Sequence, residues 1–249
     1  MSRIVYIGID DTDNLESVGT GRVARSLGAK LEAEGLGRSL GVSRHQLLVH
    51  PDIRYTSHNS SKGLAIETCA KIEELLEASI DHLKDCYQPG SDPGLCICEE
   101  GSIQPELHEY ASSAEKEVLT KQQAFELAQR LKIELHELGG DGSGIIGALA
   151  AVGLRSTGNN GRLVEVKGIR DLKGILTVKE ILERSDIDSV QDINGKELEE
   201  NETINSLDWI RPSLINWKAV LKVVQRLDEN NRAEWVPAEK AFKPTGGKK

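Results

Sequence analysis

Six segments in residues 3–100 follow one order, strand, helix, strand, strand, helix, strand, and that order restricts the fold more than any other feature of the chain. "RIVYIGI", residues 3–9, is rich in β-branched and aromatic types and stops at a run of carboxylates, which predicts a buried strand. In "TGRVARSLGAKLEAEG" Val23, Ala24, Leu27 and Leu31 recur at helical spacing, with Thr20 near the start and Gly35 as the stop. "HQLLVH" (45–50) and "KGLAIE" (62–67) read as the second and third strands, separated by the polar loop "PDIRYTSHNSS". A long helix with the stripe Ile72, Leu75, Leu76, Ile80 and Leu83 follows, and "GLCICEE" is the fourth strand. This is the split βαβ pattern. The fold class expected is α+β: mixed or antiparallel sheets with helices packed on one face, in two α/β subdomains, one of them ferredoxin-like.

Downstream, "KQQAFELAQRL" predicts a helix capped by Thr120, and "KIELHEL" alternates as a strand does. "GGDGSGIIGALAAVGL" is a glycine-rich loop entering a short helix of small residues, and "GRLVEVKG" is a further strand. From about residue 175 the character changes. "TVKEILERSDI" carries a capping box, Thr177 with Glu180, Asn194-Gly195 suggests a hairpin turn, and "KAVLKVV" reads as one more strand. The expected division is an α/β region over residues 1–174 and a carboxy-terminal α/β extension over 175–249.

A chain of 249 residues can bury a core without covalent staples. Cys69, Cys86, Cys96 and Cys98 form no CxxC pair and no zinc-ribbon spacing, so they read as reduced thiols. The net charge of −9 argues against broad, sequence-independent nucleic-acid binding, leaving a local basic patch open. "MSRIVYIGID" has no signal-peptide character and no apolar run reaches membrane-spanning length, so the expectation is a cytoplasmic protein without a membrane partner.

The chemistry concentrates in "IGIDDTDN". Asp10, Asp11 and Asp13 crowd like charges at the end of a buried strand, which costs free energy unless a cation or hydrogen-bond donors compensate. Hard carboxylate oxygens suit Mg²⁺, which takes one or two carboxylates and completes its shell with water and phosphate. Turn capping by Asp13 or Asn14 is the competing account. In "VGTGRVAR", Gly19, Thr20, Gly21 and Arg22 stand at a helix mouth where free N–H groups favour an anion, and ordinary N-capping by Thr20 competes. Gly142, Ser143, Gly144 and Gly147 of the glycine loop let the backbone approach a ligand, or else merely form a tight turn against the sheet. Asn59 and Lys62 belong to a donor-rich loop suited to phosphate, ribose or a base edge. The histidines show no spacing that predicts a nucleophile relay; His45, His50 and His136 read as structural.

The blocks "IGIDDTDN…GTGRVA", "HPDIRYTSHNSSKGLAIE", "SDPGLCI" and "GSGIIGALAAVG" stand in the order of matching blocks in the tRNA-isoleucine agmatinylcytidine synthetase (TiaS) family. Roughly the first 155 residues resemble that family's kinase-like and ferredoxin-like domains. The resemblance implies ATP bound with Mg²⁺, and phosphoryl transfer that activates a cytidine in tRNA for attack by agmatine. By the resemblance, Asp10, Asp11 and Asp13 match the GIDDTD motif and would hold metal and phosphates. Thr20 lines up with the threonine of a CTT stretch, here "GTG", and Gly144, Ile146, Gly147 and Ala148 match a G-x-I-G-A loop. Beyond residue 175 neither the family's OB-fold nor its zinc ribbon is recognisable. The reading that follows is an ATP- and Mg²⁺-dependent phosphotransferase or ligase-like enzyme with an unassigned acceptor, catalytic at Asp10, Asp11, Asp13 and Thr20, with RNA reached through a local patch or a partner subunit. The alternative is a non-catalytic nucleotide-sensing or RNA-assisting module, and a metal-dependent phosphohydrolase is the third reading.

Overall fold

A computed structural model describes residues 2–56 and 58–241. The chain divides into two compact units, Met1–Val164 and Glu165–Lys249. The anticipated boundary at 174/175 falls inside the second of them.

In the first unit, β1 (Arg3–Asp10), α1 (Thr20–Ala33), β2 (Arg38–Gln46), β3 (Ser60–Thr68), α2 (Ile72–Cys86) and β4 (Gly94–Glu99) appear in the split βαβ order. The strands lie β4-β1-β3-β2, each neighbour antiparallel, with Ile7 opposite Leu64 on one side and Ile97 on the other. β1 is central and covered on both faces, which explains its unbroken apolar run. Val5, Ile7 and Ile9 share one core with Val23, Leu27 and Leu31 of α1 and Leu75 and Leu83 of α2. Tyr6, on the opposite face, belongs to a second core. α1 ends as anticipated at Gly35, whose φ of +70° lets Leu36 N–H reach Leu31 O and Gly35 N–H reach Glu32 O, the Schellman arrangement.

The second core is built from α3 (Pro105–Ala114), α4 (Lys121–Leu131) and α5 (Gly144–Ser156), with β5 (Glu134–Glu137) pairing β4 and β6 (Arg162–Glu165) beside β2. Helices therefore cover both faces of the sheet, where the sequence led us to expect one. α5 is apolar nearly all round because it lies between the sheet and α3. That closeness depends on Gly8, where a Cβ would stand 1.9 Å from Ala148 O.

In this first unit two elements differ from expectation. The second strand is Arg38–Gln46 rather than 45–50, because Leu47 N–H and Leu48 N–H turn to Asn59 O and Ala114 O, while the register shift between Ser39 and Val42 hides the true strand's alternation. The helix α3 was not anticipated; it begins at a proline, which sits well at a first helical position.

In the second unit, β11 (Lys218–Leu227) pairs antiparallel with β10 (Ser213–Ile215) and β12 (Ala233–Pro237), and parallel with β8 (Ser189–Asp192). β9 (Thr203–Asn205) runs parallel to β12 and antiparallel to β7 (Ile175–Thr177). α6 (Val178–Arg184) starts with the anticipated capping box, Thr177 accepting from Glu180 N–H. The turn at Asn194-Gly195 is present, Asp192 N–H bonding Lys196 O at 2.9 Å. Its core is aliphatic, including Ile181, Val190, Ile204, Leu221 and Val236. Among the described residues no helix is long and apolar enough to cross a membrane. The four cysteines are free thiols.

Candidate functional site

The acidic turn after β1 is bent by Asp11, whose φ of 50° lies in the left-handed region that aspartate tolerates better than most side chains. The bend sends the three carboxylates to different surroundings. Asp10 Oδ1 accepts from Asp11 N–H at 3.0 Å, and Asp10 Oδ2 rests against α5, where a Cβ on Gly147 would come within 1.8 Å of it. As a residue Asp10 is partly exposed, yet its carboxyl group is enclosed. Burial pushes that carboxyl up to about 7, the Lys62 charge pulling the other way and Asp11 adding to the rise.

Asp11 is pushed up to about 6, first by burial and then by the charge of Asp92. Asp13 is the acceptor of a chain of hydroxyls. Thr12 Oγ1 donates to Thr20 Oγ1 at 3.2 Å, and Thr20 Oγ1 donates to Asp13 Oδ1 at 2.6 Å, a length typical of a charge-assisted bond. Thr20 N–H also reaches Asp13 Oδ1 at 3.3 Å, so the carboxylate closes the mouth of α1. Thr12 and Thr20 are both buried.

Lys62 stands on β3 with its stem over Gly21 and its Nζ donating to Ser60 O at 2.7 Å. Burial depresses its amine to about 8, against the opposing pull of Asp10. The structure thus brings together Asp10, Lys62, Gly21 and Gly147 as one group, and Asp13 with Gly19 and Thr20 as a second.

A cavity of about 440 Å³ opens beside this turn, within the size range of small-molecule sites. Asp11, Asp13, Glu16, Asp92, Arg54 and Thr56 contribute its polar lining. Arg54 Nη1 stands 3.8 Å from carboxylate oxygens of both Asp92 and Asp141. Thr56 Oγ1 donates to Asp13 O at 3.2 Å and ties its loop to the acidic turn. Asp92 anchors the glycine loop, its Oδ1 accepting Asp141 N–H at 2.7 Å and its carbonyl accepting Gly144 N–H at 2.9 Å.

Other anticipated residues stand apart from the cavity lining. Arg22 is exposed on α1. Asn59 is buried and donates to Leu48 O at 2.6 Å. Gly142 packs on Glu137, and Ser143 N–H bonds Asp141 Oδ1 at 2.8 Å. His45 is fully buried, its ring between Ser43 Oγ at 2.7 Å and Asn160 Oδ1 at 2.8 Å, and burial holds it down to about 3, neutral as a structural histidine would be.

Sequence reasoning passed over Thr12 and Asp92, and it counted Arg54 only among the donors of the loop suited to phosphate, ribose or a base edge. The signal for Asp92 was the "SDPG" turn directly before a buried strand.

Among the described residues no three His, Cys, Asp or Glu side chains converge as a metal-binding group. The acidic lining offers carboxylate oxygens, the donor type suited to Mg²⁺, which takes one or two carboxylates and fills its remaining positions with water and phosphate oxygens.

No family model matches the chain. Among curated proteins, the isoleucine-tRNA 2-agmatinylcytidine synthetase TiaS of Thermococcus sibiricus is 31% identical over 156 residues, 60% of this chain and 35% of that protein. An uncharacterized protein of Methanocaldococcus jannaschii is 30% identical over 151 residues, 60% of this chain and 49% of that one. The chain thus spans between about a third and a half of the length of these relatives. The crystal structure of TiaS in complex with an isoleucine tRNA and ATP superposes with a TM-score of 0.54 at 27% identity, covering 61% of this chain and 36% of that one. The complex of TiaS with the same tRNA, AMPCPP and agmatine gives 0.53, again at 27% identity, covering 61% and 36%.

Proposed function

Over about 60% of its length this chain is TiaS-like, and from that premise we propose that it is an ATP-using enzyme of tRNA modification, binding ATP with Mg²⁺ at the acidic turn after β1 and transferring a phosphoryl or nucleotidyl group. The observation that carries the reading is the Thr12–Thr20–Asp13 hydrogen-bond chain, which fixes one carboxylate at the edge of a cavity that Asp11, Asp92 and Arg54 also line.

In this reading Asp11 and Asp13 hold the metal, which supplies charge neutralisation at the phosphate oxygens when bound. Asp13 is oriented by Thr20, whose hydroxyl points to it and lies outside the cavity lining; Thr20 acts first as a positioning residue. Arg54 offers the planar, always-charged donor set suited to phosphate, and it can exchange Asp92 and Asp141 for phosphate oxygens. Asp10 and Lys62, buried and drawn by each other's charge, lie outside the cavity lining beside the acidic turn, and α5 packs on Asp10 through Gly147. tRNA is the proposed acceptor class.

The test is ATP consumption by the full chain, with products separated chromatographically, in the presence and absence of tRNA. The expected outcome is Mg²⁺-dependent, tRNA-stimulated turnover that Asp13→Asn lowers by about 10²-fold or more, as loss of a charge-stabilising group does. Turnover equal in Asp13→Asn and wild type would remove this site from the chemistry.

A further inference from the structure

The cavity carries two side chains that phosphate and metal chemistry leave unused. Leu15 is 85% exposed and Tyr55 is 45% exposed, and both line the same space as Asp11, Asp13 and Arg54. They come from separate loops, each fixed to the acidic turn. Asn14 N–H bonds Ser17 Oγ at 2.9 Å and Asn14 Oδ1 accepts Glu16 N–H at 3.1 Å, bracketing Leu15, while Thr56, the neighbour of Tyr55, donates to Asp13 O.

A cavity whose polar lining is mostly acidic, yet which includes one exposed aromatic ring and one exposed branched aliphatic group, suits an amphipathic ligand. Binding sites commonly combine an apolar and aromatic surface with a few placed polar groups. A phosphate chain uses only the cation-assisted part of this lining. A nucleobase is flat and uncharged and stacks on an aromatic face, an interaction that tolerates any base because every base has one. An exposed tyrosine supplies that face at small entropic cost, having few rotatable bonds to fix.

We propose that Tyr55, with Leu15 beside the same space, is the base-binding part of the nucleotide site, stacking the nucleobase of a nucleoside triphosphate whose phosphates engage Arg54 and the carboxylate-held cation. This rests on the nucleotide reading above and adds to it a residue that sets affinity for the base alone.

The experiment is calorimetric titration of the full chain and of Tyr55→Ala and Tyr55→Phe with two ligands, Mg²⁺-ATP and Mg²⁺ with inorganic tripolyphosphate. The exposure of Tyr55 means that either variant keeps the fold, which melting curves check. The expected result is ATP binding weakened about 5- to 150-fold in Tyr55→Ala with tripolyphosphate affected less than about twofold, and Tyr55→Phe resembling wild type. Equal ATP binding by Tyr55→Ala and wild type, or equal weakening of both ligands, overturns the base assignment while leaving the nucleotide site standing. Wild type that takes neither ligand overturns the nucleotide reading itself.

Discussion

Asp10 is the side chain of the acidic turn whose ionisation burial opposes most strongly. Its carboxyl titrates near 7 in the folded chain against an ordinary value of 3.8, because it is enclosed beneath α5. The folded state therefore holds a proton that the unfolded state has released, and this contribution to stability is present at pH 4 and lost as the pH rises towards 7. Asp10→Asn cannot ionise and should melt higher than wild type at pH 8, with little difference at pH 4. The gain should be on the order of a few kcal/mol, the pull of Lys62 being already contained in the shift. Paired melts at the two pH values check this, and a loss at pH 8 would mean that the Asp10–Lys62 attraction outweighs burial. At this scale the sequence was partly legible. Three aspartates after an apolar strand announce a site, but Asp92 lies far along the chain and joins it only because β4 pairs β1 with Gly94 opposite Asp10. Thr12 was invisible because a threonine among aspartates looks like any turn residue until its burial is known.

Among the elements, α5 positions the site. It reaches Asp10 only because glycines remove side chains on both surfaces, Gly8 beneath Ala148 and Gly147 above Asp10. Gly8→Ala would place a Cβ 1.9 Å from a backbone carbonyl that cannot rotate away, and a cost of at least about 2 kcal/mol is expected. Gly19→Ala at the mouth of α1 is the control. Its φ is −66° and the nearest atom to a new Cβ is 3.8 Å away, so denaturant melts should show a change within about 0.5 kcal/mol. A small effect at Gly8 would contradict the close approach of α5 to β1. The helices with continuous stripes, α1, α2 and α4, were readable from periodicity, α1 and α4 also from a named stop or cap. α3 was not, because its buried face is only Leu107, Tyr110, Ala111 and Ala114 and its opening proline reads as a breaker. β2 was misplaced because its bulge at Gly41 breaks the alternation by which strands are recognised.

For the molecule as a whole, the candidate site lies entirely within Met1–Val164, the unit whose long paired strands made its order legible. The second unit was read less completely, since β7, β9 and β10 are three residues each and too short to show a period. The central claim proposed here is a Mg²⁺-dependent nucleotide site at the turn after β1, where the acidic cavity lies. Its most direct test is calorimetric titration of ATP into the full chain, with and without Mg²⁺, on wild type and on Asp11→Asn, which removes a charge and nearly keeps the shape. The account predicts micromolar binding that requires Mg²⁺ and weakens at least about tenfold in the variant. Absence of binding to wild type, or equal binding by Asp11→Asn, would contradict it.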